Sequence, residues 1–130
     1  MSFGIGFGDV MALYDLCSAF LTANKEAEND FQNIDEEVKS LQVVLKTTAE
    51  YLEHTNLSHD KQRDWQVLLK GCMSVLSDLY IFIRKYRKTL SFLRGRLVMN
   101  TIPNLRARLT SHMGLLSNFL QRFGIPTVTM

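Results

Sequence analysis

A chain of 130 residues is long enough for one packed core, since single domains run to about 100–200 residues. Hydrophobic residues make up 46% and charged residues 22%, with two prolines, which excludes a disordered or low-complexity chain. The net charge of +2 conceals a division: residues 1–60 carry three lysines against eleven acids, and residues 61–130 carry twelve Lys and Arg against Asp64 and Asp78 alone.

Two readings of that division stand side by side. The halves pack against each other and neutralise across exposed helix faces, or the basic half also meets an anionic surface. Cys17 and Cys72 sit inside apolar helical patterns and read as buried thiols of a reducing cytosol. No basic region leads an apolar run as in a secretory signal, so a cytoplasmic location is expected.

Residues 1–8 form a leader in which Gly4, Gly6 and Gly8 alternate with Phe3, Ile5 and Phe7. No strand pattern precedes these glycines and no Gly-Lys-Ser/Thr follows them, so they are not a dinucleotide or phosphate loop. Asp9 is expected to N-cap a first helix, leaving the leader's aromatics free to dock or insert. Val10, Leu13, Tyr14, Cys17, Phe20 and Leu21 follow helical spacing, and Met11, Leu16 and Ala19 widen the apolar arc. That width implies burial on more than one side. The 14 residues Val10–Ala23, with Asp15 inside, fall short of the ~20 apolar residues of a bilayer span, so this is no constitutive transmembrane helix.

A second helix is predicted from near Glu28–Asp30 to about His54, with its seam at Phe31, Ile34, Val38, Leu41, Leu45, Thr48 and Leu52. Glu36, Glu37, Lys39, Glu50 and Glu53 lie off the seam and give one solvated face. Asn56–His59 is a turn, and Ser58 caps a third helix. The third carries Trp65, Leu68, Leu69, Cys72, Val75, Leu76, Leu79, Phe82, Ile83 and Tyr86, continues toward Leu90 or Leu93, and is expected to project or kink near Gly95. Its last turns hold Arg84, Lys85, Arg87 and Lys88, followed by Arg94 and Arg96, and no acid occurs after Asp78. Some of these cations complement the helix dipole, and the rest read either as a solvated face or as holders of anionic headgroups. Nucleic acid is not expected as a partner, because no reading motif or set of stacking aromatics accompanies them. Residues 98–102 are predicted as a connection, with Pro103 opening a fourth helix whose seam is Leu105, Leu109, Met113, Leu116, Leu120 and Phe123. Gly124 and Pro126 end it, and 125–130 is a tail.

The three histidines, His54, His59 and His112, lack metal-ligand spacing, and contiguous Ser58-His59-Asp60 cannot face one another as a triad. The chain is expected to be no enzyme and to use no metal or cofactor.

Phe3-Gly-Ile-Gly-Phe-Gly-Asp9 before a short apolar helix, then Glu37-Val-Lys-Ser-Leu-Gln-Val-Val-Leu45, resembles the N-terminal domains of fungal NLR-like (STAND) receptors and related HeLo-like domains. Asp60–Arg63, Leu76–Tyr80 and Leu105–His112 fit the same pattern, and the likeness covers most of residues 2–122. The resemblance implies a helical bundle that, in related fungal effectors of programmed cell death and heterokaryon incompatibility, oligomerises and drives its N-terminal segment into the plasma membrane. Similar logic is attributed to plant resistosome coiled-coil domains and to the bundle of the mixed-lineage kinase-like pseudokinase.

The expectation is therefore an all-α, mainly antiparallel four-helix bundle over 9–124 with a short apolar first helix and a long third one. Its expected function is a cytosolic signalling module that self-associates and, relocating on activation, targets or permeabilises the plasma membrane. Phe3, Ile5, Phe7, Val10, Leu13, Phe20 and Leu21 would enter lipid, with Asp9 and Asp15 lining a lumen. Arg84, Lys85, Arg87, Lys88, Arg94 and Arg96 would hold an anionic lipid surface or a partner. The alternative is a non-lytic interaction domain that binds copies of itself or other helical signalling domains, acidic face to basic face.

Overall fold

The computed structural model describes residues 7–25, 32–52 and 58–122. Helix α1 spans Phe7–Asn24, α2 Gln32–Leu52, α3 His59–Lys88 and α4 Ser91–Gln121, and together they form an all-α four-helix bundle. The predicted seams supply its core. Val10, Leu13, Cys17 and Phe20 of α1 meet Ile34, Val38, Leu41 and Leu45 of α2, nine side chains of α3, and Leu105, Leu109 and Leu116 of α4. Phe31, Leu52 and Phe123 of those seams, with Glu53 and His54, fall outside the described side chains, as do Gly124 and the tail.

Side-chain contacts fix the direction of each helix. Gln42 Nε2 donates to Ser18 Oγ at 2.6 Å and to the Tyr14 carbonyl at 3.2 Å, while Asn24 reaches Asp35, so α1 and α2 are antiparallel. Trp65 stacks on Phe119, Arg108 meets Asp78, and Arg94 lies over Tyr86, so α3 and α4 are antiparallel too. The first turns of α1 (Asp9, Ala12, Leu13) share a groove with Gln66, Leu69, Lys70 and Met73, and its last turns share another with Tyr80 and Arg87. Helix α1 therefore runs parallel to α3. Helix α4 packs mainly on α3 and more thinly on α2, where Glu37 Oε1 accepts from Arg106 Nε at 3.1 Å and Nη2 at 2.9 Å.

Three boundaries differ from the sequence expectation. Helix α1 starts at Phe7, so Asp9 occupies its first turn and is not the N-cap; its carboxylate there still faces the positive end of the dipole. Ser58 does cap α3, accepting from the Lys61 amide. Helix α3 stops at Lys88, short of Leu90 and Leu93, and only Thr89 and Leu90 separate it from α4. Residues 98–102 are helical, with Pro103 and Gly95 inside α4. A proline there removes one helical bond to the Met99 carbonyl, and both residues are exposed, so water can serve that carbonyl. With 30 and 31 residues, α3 and α4 are about 45 Å long, against about 27 Å for α1 and 31 Å for α2.

Candidate functional site

Two features stand apart from ordinary bundle packing: the apolar helix α1 and the corner where α3 turns into α4. In α1, Val10, Leu13 and Phe20 are wholly excluded from solvent, and Leu21 is half-buried. Asp9, Ala12, Asp15, Ser18, Ala19 and Thr22 face outward, so the exposed side of α1 is small and polar. Phe7 opens the helix, while Phe3 and Ile5 lie outside the described residues. Cys17 and Cys72 are both buried in the core. Burial, together with the neighbouring Cys72, pushes the Cys17 thiol up to about 12, and burial does the same to Cys72. Both thiols therefore stay protonated and unreactive inside the fold.

The basic residues expected to act as one cluster divide four ways, with Arg96 alone on α4's outer face. Ile81, Arg84, Lys85, Lys88 and Thr89 line one shallow groove, as their spacing of three and four residues on α3 dictates. Arg87 points instead to the end of α1, beside Ser18, Thr22 and Tyr80. Arg94 is held by the corner itself: its Nε donates to the Thr89 carbonyl at 3.0 Å, its Nη2 to the Arg87 carbonyl at 3.3 Å, and its guanidinium lies 4.9 Å from the Tyr86 ring centre. Arg94 thus satisfies carbonyls left over at the end of α3. Arg106 and Arg108 are paired with Glu37 and Asp78. Among the described residues Lys85, Lys88 and Arg96 meet no carboxylate.

The corner also carries apolar side chains to which the sequence pattern gives no role. Phe92 is 79% exposed, Met99 77%, Ile81 63%, Leu90 63% and Leu93 42%. None of residues 91–101 is buried. Phe92, Arg96 and Met99 recur at four and three residues, a stripe along the outer face of α4 that mixes apolar and cationic groups. That stripe was the available signal. It was hidden by reading Leu90 and Leu93 as the continuation of α3.

Among the described residues no group of three or more His, Cys, Asp or Glu could hold a metal ion. Helix α3 is long and apolar enough to cross a membrane by length and composition, but its apolar seam from Trp65 to Tyr86 is the centre of the bundle core. No protein-family model, curated protein or solved structure matches the chain.

Proposed function

We propose that the chain is a non-enzymatic, cofactor-free cytoplasmic signalling module of the fungal cell-death type. It self-associates on activation, and α1 with its leader then enters the membrane while the basic residues of α3 hold the anionic surface. The observation that carries this reading is the composition of α1. Its only charges are Asp9 and Asp15, its buried side is Val10, Leu13, Cys17 and Phe20, and its outward side is mostly Ala, Ser and Thr. Such a helix can exchange one apolar environment for another. Its apolar run of 14 residues, about 21 Å, is shorter than a hydrocarbon core of about 30 Å, so insertion requires several copies arranged as a funnel or local thinning of the bilayer, with the outward Asp9 and Asp15 lining the lumen.

Helix polarity adds a condition to this mechanism. Because α1 runs parallel to α3, its start lies beside Lys70, about 27 Å along the bundle from Lys88. The inserting end and the basic end are therefore at opposite poles of the closed bundle, and α1 must leave its seat to reach lipid held at the basic pole.

Dye release from vesicles containing anionic lipid tests the reading. Wild type is compared with a form lacking residues 1–8 and with Leu21→Glu, at the half-buried edge of the core, each first checked by circular dichroism. Release by wild type and its loss in both variants supports insertion. Absence of release from folded, forcibly oligomerised protein sinks it.

One observation favours the rival, a non-lytic interaction domain: α1 is seated like any core helix, with four side chains at zero exposure. Under that reading α1 never leaves, and the acidic face of α2 docks on the basic face of a neighbouring copy.

A further inference from the structure

We propose that the α3–α4 corner is a bilayer-docking wedge, in which Leu90, Phe92, Leu93 and Met99 enter the lipid interface while Arg84, Lys85, Lys88 and Arg96 hold anionic phospholipid headgroups. It rests on the reading above only in taking a bilayer as partner, and it requires no departure of α1.

Exposure and charge converge at this pole. A bundle that hides Val10, Leu13 and Phe20 completely leaves Phe92 and Met99 more than three-quarters exposed, on the same stripe as Arg96. Apolar side chains rimmed by cations match the boundary between acyl chains and headgroups, where Lys and Arg stems lie along apolar matter with their charges at the phosphates. Each basic residue near an anionic surface raises partitioning by roughly fivefold, so four raise it several hundredfold. No acid follows Asp78 along the chain, and among the described residues the acid that the fold brings to this pole in the first turn of α2, Asp35, is engaged by Asn24 and Lys39.

The rest of the corner is built for rigidity. The connection is two residues long, Thr89 Oγ1 donates to the Lys85 carbonyl at 2.8 Å, and Arg94 ties the turn to Arg87 and Tyr86. A wedge on a fixed turn loses little conformational freedom on docking. Self-docking of two such corners is opposed by their like charges. The aliphatic character of Leu90, Leu93 and Met99 suits acyl chains and not base stacking.

The full chain is sedimented with vesicles of phosphatidylcholine alone and with about one-third phosphatidylserine added. Preference for the anionic vesicles is expected, falling at least tenfold in Phe92→Ser/Met99→Ser, whose net charge is unchanged, and further in Lys85→Glu/Lys88→Glu. Val67→Ser, another exposed apolar site on α3, is expected to bind as wild type does. A form lacking residues 1–8 is expected to sediment normally, which separates docking from insertion. Equal binding to both vesicle types, no binding, or binding indifferent to the Phe92/Met99 change overturns the wedge, as does loss of self-association in place of lipid binding. Sedimentation without dye release would support the wedge while sinking the α1 mechanism, and release that persists without the wedge would do the reverse.

Discussion

The imidazole of His112 rests on the Cα of Gly71, so close that a methyl group replacing the glycine hydrogen would lie 2.5 Å from Cε1 and 2.6 Å from Nδ1. Glycine in mid-helix ordinarily costs about 1 kcal/mol relative to alanine, and here it admits a ring between α3 and α4. Gly71→Ala should therefore destabilise the bundle by about 1–2 kcal/mol in urea unfolding, overpacking exceeding the gain in helix propensity. In a His112→Ala background the same change should stabilise by up to about 1 kcal/mol, and the double-mutant cycle reads the difference.

Core and corner substitutions should separate cleanly. Leu13→Ala removes a side chain with no exposure and should cost about 2–5 kcal/mol, whereas Phe92→Ala should stay within about 0.5 kcal/mol. Thermal unfolding of the two variants checks this. A large loss at Phe92 would mean that the corner packs on something in the folded protein.

Arg94 should matter for stability despite sitting in a basic run. Arg94→Ala removes two hydrogen bonds to carbonyls at the end of α3 and the stacking on Tyr86, for an expected loss of about 1–2 kcal/mol. Arg94→Lys should recover little of it, because an ammonium cannot reproduce the fork. Arg84→Ala, by contrast, should leave the unfolding midpoint nearly unchanged.

The buried thiols give a pH signature. Each is raised in the fold to about 12 from an ordinary value of 9.0, so their contribution is fully present below the ordinary value and is lost as pH rises toward the folded one. The urea midpoint should fall above about pH 9, and more steeply in wild type than in Cys17→Ala/Cys72→Ala. At neutral pH neither thiol should react with a disulfide reagent until the chain unfolds.

What the sequence made legible followed from periodicity. The seams of α1 and α3, and Ile34 to Leu45 in α2, are buried as their spacing requires, with Tyr14, Leu21 and Leu68 half-buried at their edges, because a 3.6-residue repeat leaves one solution for an apolar face. The α3–α4 corner was not legible for a local reason. Helix ends are recognised by glycine and proline, yet Gly95 and Pro103 both lie within α4, while the end of α3 is capped by an arginine five residues beyond Thr89. That cap exists only once the turn has formed. Extending α3 toward Leu90 and Leu93 also hid the fact that they belong to a turn and a new helix, and so concealed the apolar half of the candidate site. Ile102 entered the core unannounced for a related reason, since a helix beginning at Ser91 presents a longer face than one beginning at Pro103, whereas Phe119 is buried because it widens that face beside Leu116 and Leu120, where Trp65 stacks on it.

Trp65 is the only tryptophan of the chain, buried against Phe119 with its indole N–H unpaired, about 35 Å along α3 from Lys88. The protein thus carries its own optical reporter, placed at the pole away from the basic corner and beside the seat of α1's first turns. Lipid touching Phe92 should leave its emission unmoved, whereas withdrawal of α1 should shift it to the red. One titration of vesicles, followed by sedimentation and by fluorescence together, would time the two events independently, with no label added.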